Sequence, residues 1–307
     1  VDLRGRHVIS IADFSREEIL HILRSAADME QGRPAEVLAG RLMATLFFEP
    51  STRTRLSFEA AMLKLGGRVM GFSDPGSSSA KKGESLADTI RMIERYADVI
   101  VMRHPRDGAA RLAAEVSRVP VINGGDGSNQ HPTQTFLDLY TISRIFPQLV
   151  EGGLTIGFAG DLRYGRTVHS LISALCHFGG RIQLVAPRGL ELPPQYEVEA
   201  RTHGLHIEVA PTLQSAIDAC DVLYMTRLQE ERFPDPLEFD HIKASYRITA
   251  AMLASAKPTM RILHPLPRVN EIAADVDDTV HAHYFTQAAN GIPVRQAILG
   301  LVLGAVR

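Results

Sequence analysis

The apolar run LMATLFF, residues 42–48, leads through Glu49 and Pro50 straight into STRTRLSFE, residues 51–59. That order reads as a buried strand, a short turn, and a helix whose first turn carries Ser51, Thr52, Arg53 and Thr54. A helix start leaves backbone N–H groups without partners and carries a partial positive charge. Hydroxyls and a guanidinium placed there make a pocket for a phosphate. The plainer alternative is that Ser51 is only an N-cap and the arginines are solvated. The rest of the chain decides between them.

At 307 residues the chain exceeds one ordinary domain, and two are expected. Hydrophobic residues make up 45% and charged residues 22%, which excludes a disordered or fibrous protein. A formal net charge of -2 leaves no electrostatic footprint for nucleic acid, so a basic cluster is read as a local site for a small anion. No apolar run approaches a membrane span, and VDLRGRHVIS lacks a signal-peptide core, so no membrane association and a cytoplasmic location are expected. Cys176 and Cys220 have no CxxC spacing and are expected to be buried, reduced and inert. Neither a zinc site nor a disulfide is indicated.

In chain order, Ser15 to Glu18 fits a capping box, with a helix following to about Met29. Strands are expected at 42–48, 68–72, 98–103 and 119–123, with helices at 52–65, 85–96 and 108–116 between them. Strand and helix alternate, which implies a parallel sheet with helices on both faces. The segment SDPGSSSAKKGE, residues 73–84, is a Gly/Ser-rich loop with two lysines, either solvated or reaching for a ligand. In such sheets ligands sit beyond the carboxyl ends of strands. The STRT turn, Arg103 and the loop GGDGSNQHPTQ all fall there. As a structural residue Arg103 would need a carboxylate partner; as an anion ligand it needs only its position. His131 and Gln134 stand one turn apart at a helix start, with Pro132 at an early position, and could hold a carbonyl and an NH2 group.

The second half follows FPQLVEGG, residues 146–153, read as a hinge. Strands are expected at 154–160, 181–187, 205–209, 221–226 and 260–263. GDLRYGRTVHS superficially resembles a dinucleotide-binding turn, but the GxGxxG spacing is absent and no acidic residue ends the next strand. Arg166 and His169 open the helix there, and Arg227, Gln229 and Arg232 lie at or beyond a later strand end. HPLPR, residues 264–268, carries prolines that leave carbonyls free and cannot extend a ladder. One amphipathic helix is expected over 286–306.

With these pieces in order, the chain closely resembles the aspartate carbamoyltransferase family, within the aspartate/ornithine carbamoyltransferase superfamily. The likeness covers essentially all 307 residues through STRTRLSFE, KKGESLADT, VMRHP, GDGSNQHPTQ, GDLRYGRTVHSL, YMTRLQEER and LHPLPR. An ornithine enzyme would be expected to have cysteine in place of Leu266 and an acidic motif for the ornithine amine. This chain has neither, whereas two carboxylates on a substrate call for guanidinium groups such as Arg166 and Arg227.

The resemblance implies two doubly wound parallel α/β domains with the active site in the cleft between them. It sets 1–147 as the carbamoyl phosphate-binding domain, onto which helix 286–307 packs back, and 148–285 as the aspartate-binding domain. It also implies transfer of the carbamoyl group from carbamoyl phosphate to L-aspartate in pyrimidine biosynthesis, without cofactor or metal. Ser51, Thr52, Arg53, Thr54 and Arg103 would bind the phosphate. Thr54, Arg103 and His131 would donate to the carbonyl oxygen, and Gln134 with the Pro265 and Leu266 carbonyls would hold the NH2. Leu266 and Pro267 count among the carbamoyl phosphate residues. Arg166, Arg227 and Gln229 would bind aspartate. Ser78 and Lys82 would enter from a neighbouring subunit of a homotrimer with shared active sites, Lys82 also touching aspartate. The serine-rich loop leaves open which of Ser77, Ser78 and Ser79 makes the contact. Regulatory chains or a dihydroorotase are further possible partners.

The competing readings are transfer to another amino acid, an inactive member kept as an assembly partner, and a nucleotide-dependent oxidoreductase. The second should have lost ligands, which are all present here. The third fails at the missing glycine fingerprint.

Overall fold

A computed structural model describes residues 1–32, 36–73, 83–228, 242–243 and 245–306. The chain divides into two compact units, Val1–Tyr140 with Asn290–Arg307, and Thr141–Ala289. Among the described residues no helix is long and apolar enough to cross a membrane.

In the first unit, β1 (Leu42–Phe47), β2 (Arg68–Phe72), β3 (Val99–His104) and β4 (Val121–Asp126) form a parallel sheet in the order β2-β1-β3-β4. β1, β3 and β4 are buried almost throughout, as apolar runs covered on both faces must be. The helices α1 (Arg16–Glu30), α2 (Thr52–Lys64), α3 (Leu86–Ile93), α4 (Ala109–Val116) and α5 (Pro132–Ile145) connect or flank these strands. Ser15 and Glu18 form the expected capping box of α1. Ala44, Leu46, Ile100, Met102, Ala113 and Val121 lie in one apolar core between sheet and helices.

Strand order places the switch point of this sheet between β1 and β3. From β1 the chain crosses to β2 on one side, and later returns through β3 to β4 on the other. Because crossovers are right-handed, the two sets of connections diverge there and leave a crevice at the carboxyl ends.

The second unit repeats the logic. β5 (Thr155–Ala159), β6 (Arg181–Val185), β7 (His206–Val209), β8 (Val222–Met225) and β9 (Arg261–Leu263) are parallel in the order β7-β6-β5-β8-β9. The helices α6 (Arg166–Leu175), α7 (Pro194–Thr202) and α8 (Leu213–Ala219) lie between them in sequence, and the switch point falls between β5 and β8. Ala159, Val185, Leu223, Met225, Ile262 and Tyr284 share its core.

The sequence leads to one amphipathic helix over 286–306, and here the structure differs. Two helices occupy this stretch, α9 (Tyr284–Ala289) and α10 (Gly291–Val302). Pro293 stands in the first turn of α10 and has no N–H to give to the carbonyl four residues back, so a continuous helix cannot pass through it. Nor is α10 amphipathic. Val294, Arg295 and every residue from Ala297 to Val302 are buried, and the helix packs on α1 and α2. Cys220 is buried and Cys176 half-buried, both as free thiols, and burial pushes each pKa up to about 12. A thiol held protonated at neutral pH is a poor nucleophile, as the sequence reading expects.

Candidate active site

The first-unit half of the site begins at α2. Ser51 is its N-cap in extended backbone, yet its side chain makes no capping hydrogen bond. Ser15, Ser85 and Thr212, in the same position on α1, α3 and α8, all accept one from the helix backbone. The first N–H groups of α2 are thus left without the usual cap, and the plain N-cap reading of Ser51 loses its support. The two arginines of the motif also part ways. Arg55 is tied along the helix to Glu59, with Nε 2.7 Å from Oε1, whereas the exposed Arg53 has no carboxylate partner among the described residues. Desolvation lowers the Arg53 pKa from its ordinary value. Thr54 is buried and Thr52 exposed.

Arg103 is set beside this turn by strand register, since Phe47 at the end of β1 pairs with it. It is buried, and its Nε lies 2.9 Å from Glu49 Oε2. The carboxylate that a structural role demands is therefore present. Nη1 donates to the Gly124 carbonyl at 3.1 Å. That contact exists because the β3–β4 ladder shifts register between Met102 and His104, where β4 inserts Gly124 and Gly125 opposite Arg103. Gly125 has φ +114°, which a β-carbon would make costly. A side chain at Gly124 would come within 3.1 Å of the Met102 carbonyl and 3.5 Å of Thr54 Cγ2. The bulge, Arg103 and Thr54 are thereby packed together.

Beyond the bulge, the buried Asp126 ties the loop into shape. Its Oδ1 accepts from Asn123 Nδ2 at 2.8 Å and Gln130 N at 3.1 Å, and its Oδ2 from Gly108 N at 2.9 Å and Asn129 Nδ2 at 3.1 Å. This delivers His131, 5% exposed, to the start of α5, where its carbonyl accepts from Gln134 N at 3.0 Å. Gln134 Nε2 donates to Asp138 Oδ1 at 2.8 Å. Sequence reading missed Asp126 and Asn123 as organisers; an Asp between glycines was the available clue.

In the second unit, Arg166 opens α6 directly after β5, and Arg227 follows β8, its neighbour in the sheet. Asp161, fully buried, shapes the loop before Arg166 by accepting from Arg163 N and Tyr164 N at 3.1 and 3.0 Å. Thr226 Oγ1 donates to the Ala159 carbonyl at 3.1 Å, and a β-carbon at Gly160 (φ +112°) would collide with the Thr226 carbonyl. The two strand ends are locked together, which puts the two arginines on one sheet edge at the switch point. His169 does not join them. Burial lowers its pKa although Nε2 donates to the Leu162 carbonyl at 2.8 Å, and the ring stacks on Tyr196. It is a neutral core residue.

The HPLP turn follows β9, next to β8. His264 Nδ1 accepts from Leu266 N at 2.8 Å, so its proton is on Nε2, which donates to Glu271 Oε1 at 2.7 Å. Leu266 has φ +53°, rare for a branched residue, and is held there by that bond. Gln287 Oε1 accepts from His264 N at 2.8 Å. Burial alone would raise the Glu271 pKa; the bond from His264 and those from the Glu271 and Asn270 N–H groups outweigh it and hold the carboxyl below its ordinary 4.5.

Glu271→Gln should cost about 1.5–3 kcal/mol of stability at pH 7, the value of a hydrogen bond to a charged group. Because the folded pKa is depressed, that contribution is complete above the ordinary 4.5 and fades as pH falls through the folded value, so the two proteins should converge in acid. Denaturant unfolding of both at pH 7 and in acid measures it, and a gap that persists in acid would refute it.

Ser78, Lys82 and Gln229, and with them Ser77, Ser79 and Arg232, lie outside the described residues. Among the described residues no three His, Cys, Asp or Glu side chains converge as a metal site.

Two parallel α/β units, each with cationic groups at its switch point, define a class of proteins that handle small anions. Comparison with known proteins makes the class specific. Residues 6–144 match the carbamoyl-P binding domain, and residues 152–302 the Asp/Orn binding domain, of aspartate/ornithine carbamoyltransferase; the chain belongs to this family. It is similar to the aspartate carbamoyltransferase catalytic subunit of Thermococcus gammatolerans, 54% identical over 310 aligned positions covering all of both chains. The catalytic subunit of Chromobacterium violaceum is 56% identical, with 97% of this chain and 98% of that one covered. Among solved structures, the catalytic subunit of M. jannaschii aspartate transcarbamoylase superposes with TM-score 0.90 at 52% identity, covering 95% and 96%. Aspartate transcarbamoylase from Trypanosoma cruzi in complex with N-(phosphonacetyl)-L-aspartic acid gives TM-score 0.90 at 42% identity, covering 98% and 97%.

Proposed function

We propose that the two sets of ligands act on one pair of substrates, the first on carbamoyl phosphate and the second on L-aspartate. The chain is the catalytic chain of an aspartate carbamoyltransferase, which transfers the carbamoyl group to the amine of aspartate in pyrimidine biosynthesis. The observation that carries the substrate reading is the pair of loaded switch points. One offers an uncapped helix start beside two guanidinium groups, suited to a phosphate, and the other offers arginines on adjacent strands, suited to a dicarboxylate.

In this reading Ser51, Thr52, Arg53, Thr54 and Arg103 hold the phosphate, and Thr54, Arg103 and His131 donate to the carbonyl oxygen. Gln134 and the Pro265 and Leu266 carbonyls accept from the NH2, with Pro267 completing that turn. Arg166, Arg227 and Gln229 hold aspartate. The neutral amine attacks the carbonyl carbon, negative charge grows on its oxygen, and each well-placed donor contributes about 3–4 kcal/mol at the transition state. The bond to the phosphate oxygen breaks, and the leaving phosphate takes the proton released by the amine. No covalent intermediate is needed, and much of the rate comes from holding two anions in line.

The chain acts as a cytoplasmic homotrimer, with Ser78 and Lys82 reaching the site of a neighbouring subunit. The relatives it matches are named as catalytic subunits, which supports the reading that this chain works within an assembly.

A compound joining a phosphonate to a dicarboxylate tests the pairing. At a hundredfold excess over its dissociation constant it should add about 2.7 kcal/mol of stability, and raise Tm more than either half alone. Equal shifts from the joined compound and from phosphate would show that the two sets do not act together.

A further inference from the structure

We propose that Asp138 is a positioning residue that selects one rotation of the Gln134 amide, and so makes the site read an NH2 on its carbonyl substrate. This rests on the reading above, in which Gln134 faces the carbamoyl NH2. Asp138 lies one turn after Gln134 on α5 and is fully buried. An ionised carboxylate only accepts hydrogen bonds, so the amide must turn its NH2 to Asp138 and its carbonyl oxygen the other way. An acceptor then faces the substrate. With the amide reversed, two NH2 groups would oppose each other.

α10 supplies a positive charge to the surroundings of Asp138. Arg295, 3% exposed, lies over the Phe58 ring of α2 at 4.9 Å. Burial pulls its pKa down to about 10 while Asp138 opposes the fall, so the guanidinium remains charged at neutral pH. A β-carbon at Gly291 would collide with its Nη1, so the glycine that opens α10 leaves the space the guanidinium fills. Burying an arginine and an aspartate is expensive, and replacing such a pair by apolar residues is often harmless to stability. A requirement on the Gln134 amide accounts for keeping them.

Phosphonoacetamide and acetonylphosphonate share a phosphonate and a carbonyl and differ in NH2 against CH3. Calorimetric titration of the assembled native protein should show the amide binding about tenfold tighter, the order of one good hydrogen bond. Asp138→Asn, which frees the amide to turn, should reduce that preference to about threefold or less with the ketone's affinity nearly unchanged. Gln134→Leu should abolish the preference.

If Gln134→Leu keeps the preference, the placing of Gln134 against the NH2 is wrong. If Gln134→Leu abolishes it and Asp138→Asn does not, Gln134 stands and the role of Asp138 is overturned. Equal weakening of both compounds in Asp138→Asn also overturns it, since that is the mark of general structural damage. Should Asp138→Asn fail to fold by its melting curve, the exchanged pair Gln134→Glu with Asp138→Asn decides. It keeps one acid and one amide, and should regain the preference; a folded exchanged pair without it refutes the proposal.

Discussion

Arg53→Ala is expected to lower kcat by about 10²–10³-fold, the usual loss when one strong transition-state donor is removed. Arg53 is the motif arginine that no carboxylate restrains among the described residues, whereas Arg55 is committed to Glu59. Arg55→Ala should accordingly cost far less activity. Lys82→Ala should also be nearly inactive, and the two defects allow a test of site sharing. In a closed ring each interface is heterologous, so if sites are shared as proposed, Arg53 of one chain would meet Lys82 of the next at every junction. Reassembling Arg53→Ala and Lys82→Ala chains together gives mixed trimers with one intact junction, and a purified mixed trimer should recover about a third of native activity. A mixed trimer as inactive as its parents would refute sharing.

The second large effect is expected at His131. It is buried at the start of α5, on a loop that Asp126 holds by four hydrogen bonds. His131→Ala should lower kcat by about 10²-fold while substrate affinity changes much less, the pattern of a contact made chiefly in the transition state. Steady-state kinetics with both substrates varied gives the split. If turnover survives and only KM rises, His131 is a binding residue and donation to the carbonyl oxygen is the wrong role.

What the sequence made legible was local. STRT after an apolar run, Arg103 at a strand end and His131 before Pro132 are each a motif read against a known element, and parallel topology then places them at one sheet edge. The bulge in β4 was not legible, because Gly124 and Gly125 read as the start of a loop, and only register against β3 shows them to be strand. The part of His264 was not legible either: HPLPR reads as a turn with free carbonyls, whereas both ring nitrogens are engaged by Leu266 and Glu271, residues whose proximity depends on the fold. Asp138 and Arg295 were invisible for a related reason. A Gln and an Asp four apart look like a surface pair, and Arg295 belongs to a stretch that reads as amphipathic until α10 is seen enclosed. The break before α10 could have been read from Pro293 alone.

The enclosure of α10 bears on the order in which the chain can fold as it is made. All of the second unit is contiguous, residues 141–289, and its core is complete once those residues have been synthesised. The first unit joins residues 1–140 to residues 290–307, so it closes only with a segment made after the whole of the second unit. Domains generally fold as units, so the half that is translated first must wait with α1 and α2 uncovered, while the half translated second can settle before it. A chain stopped a few residues short of α10 would leave the part made before the second unit without its cover, and aggregation of that nascent half is the hazard that synthesis of α10 removes.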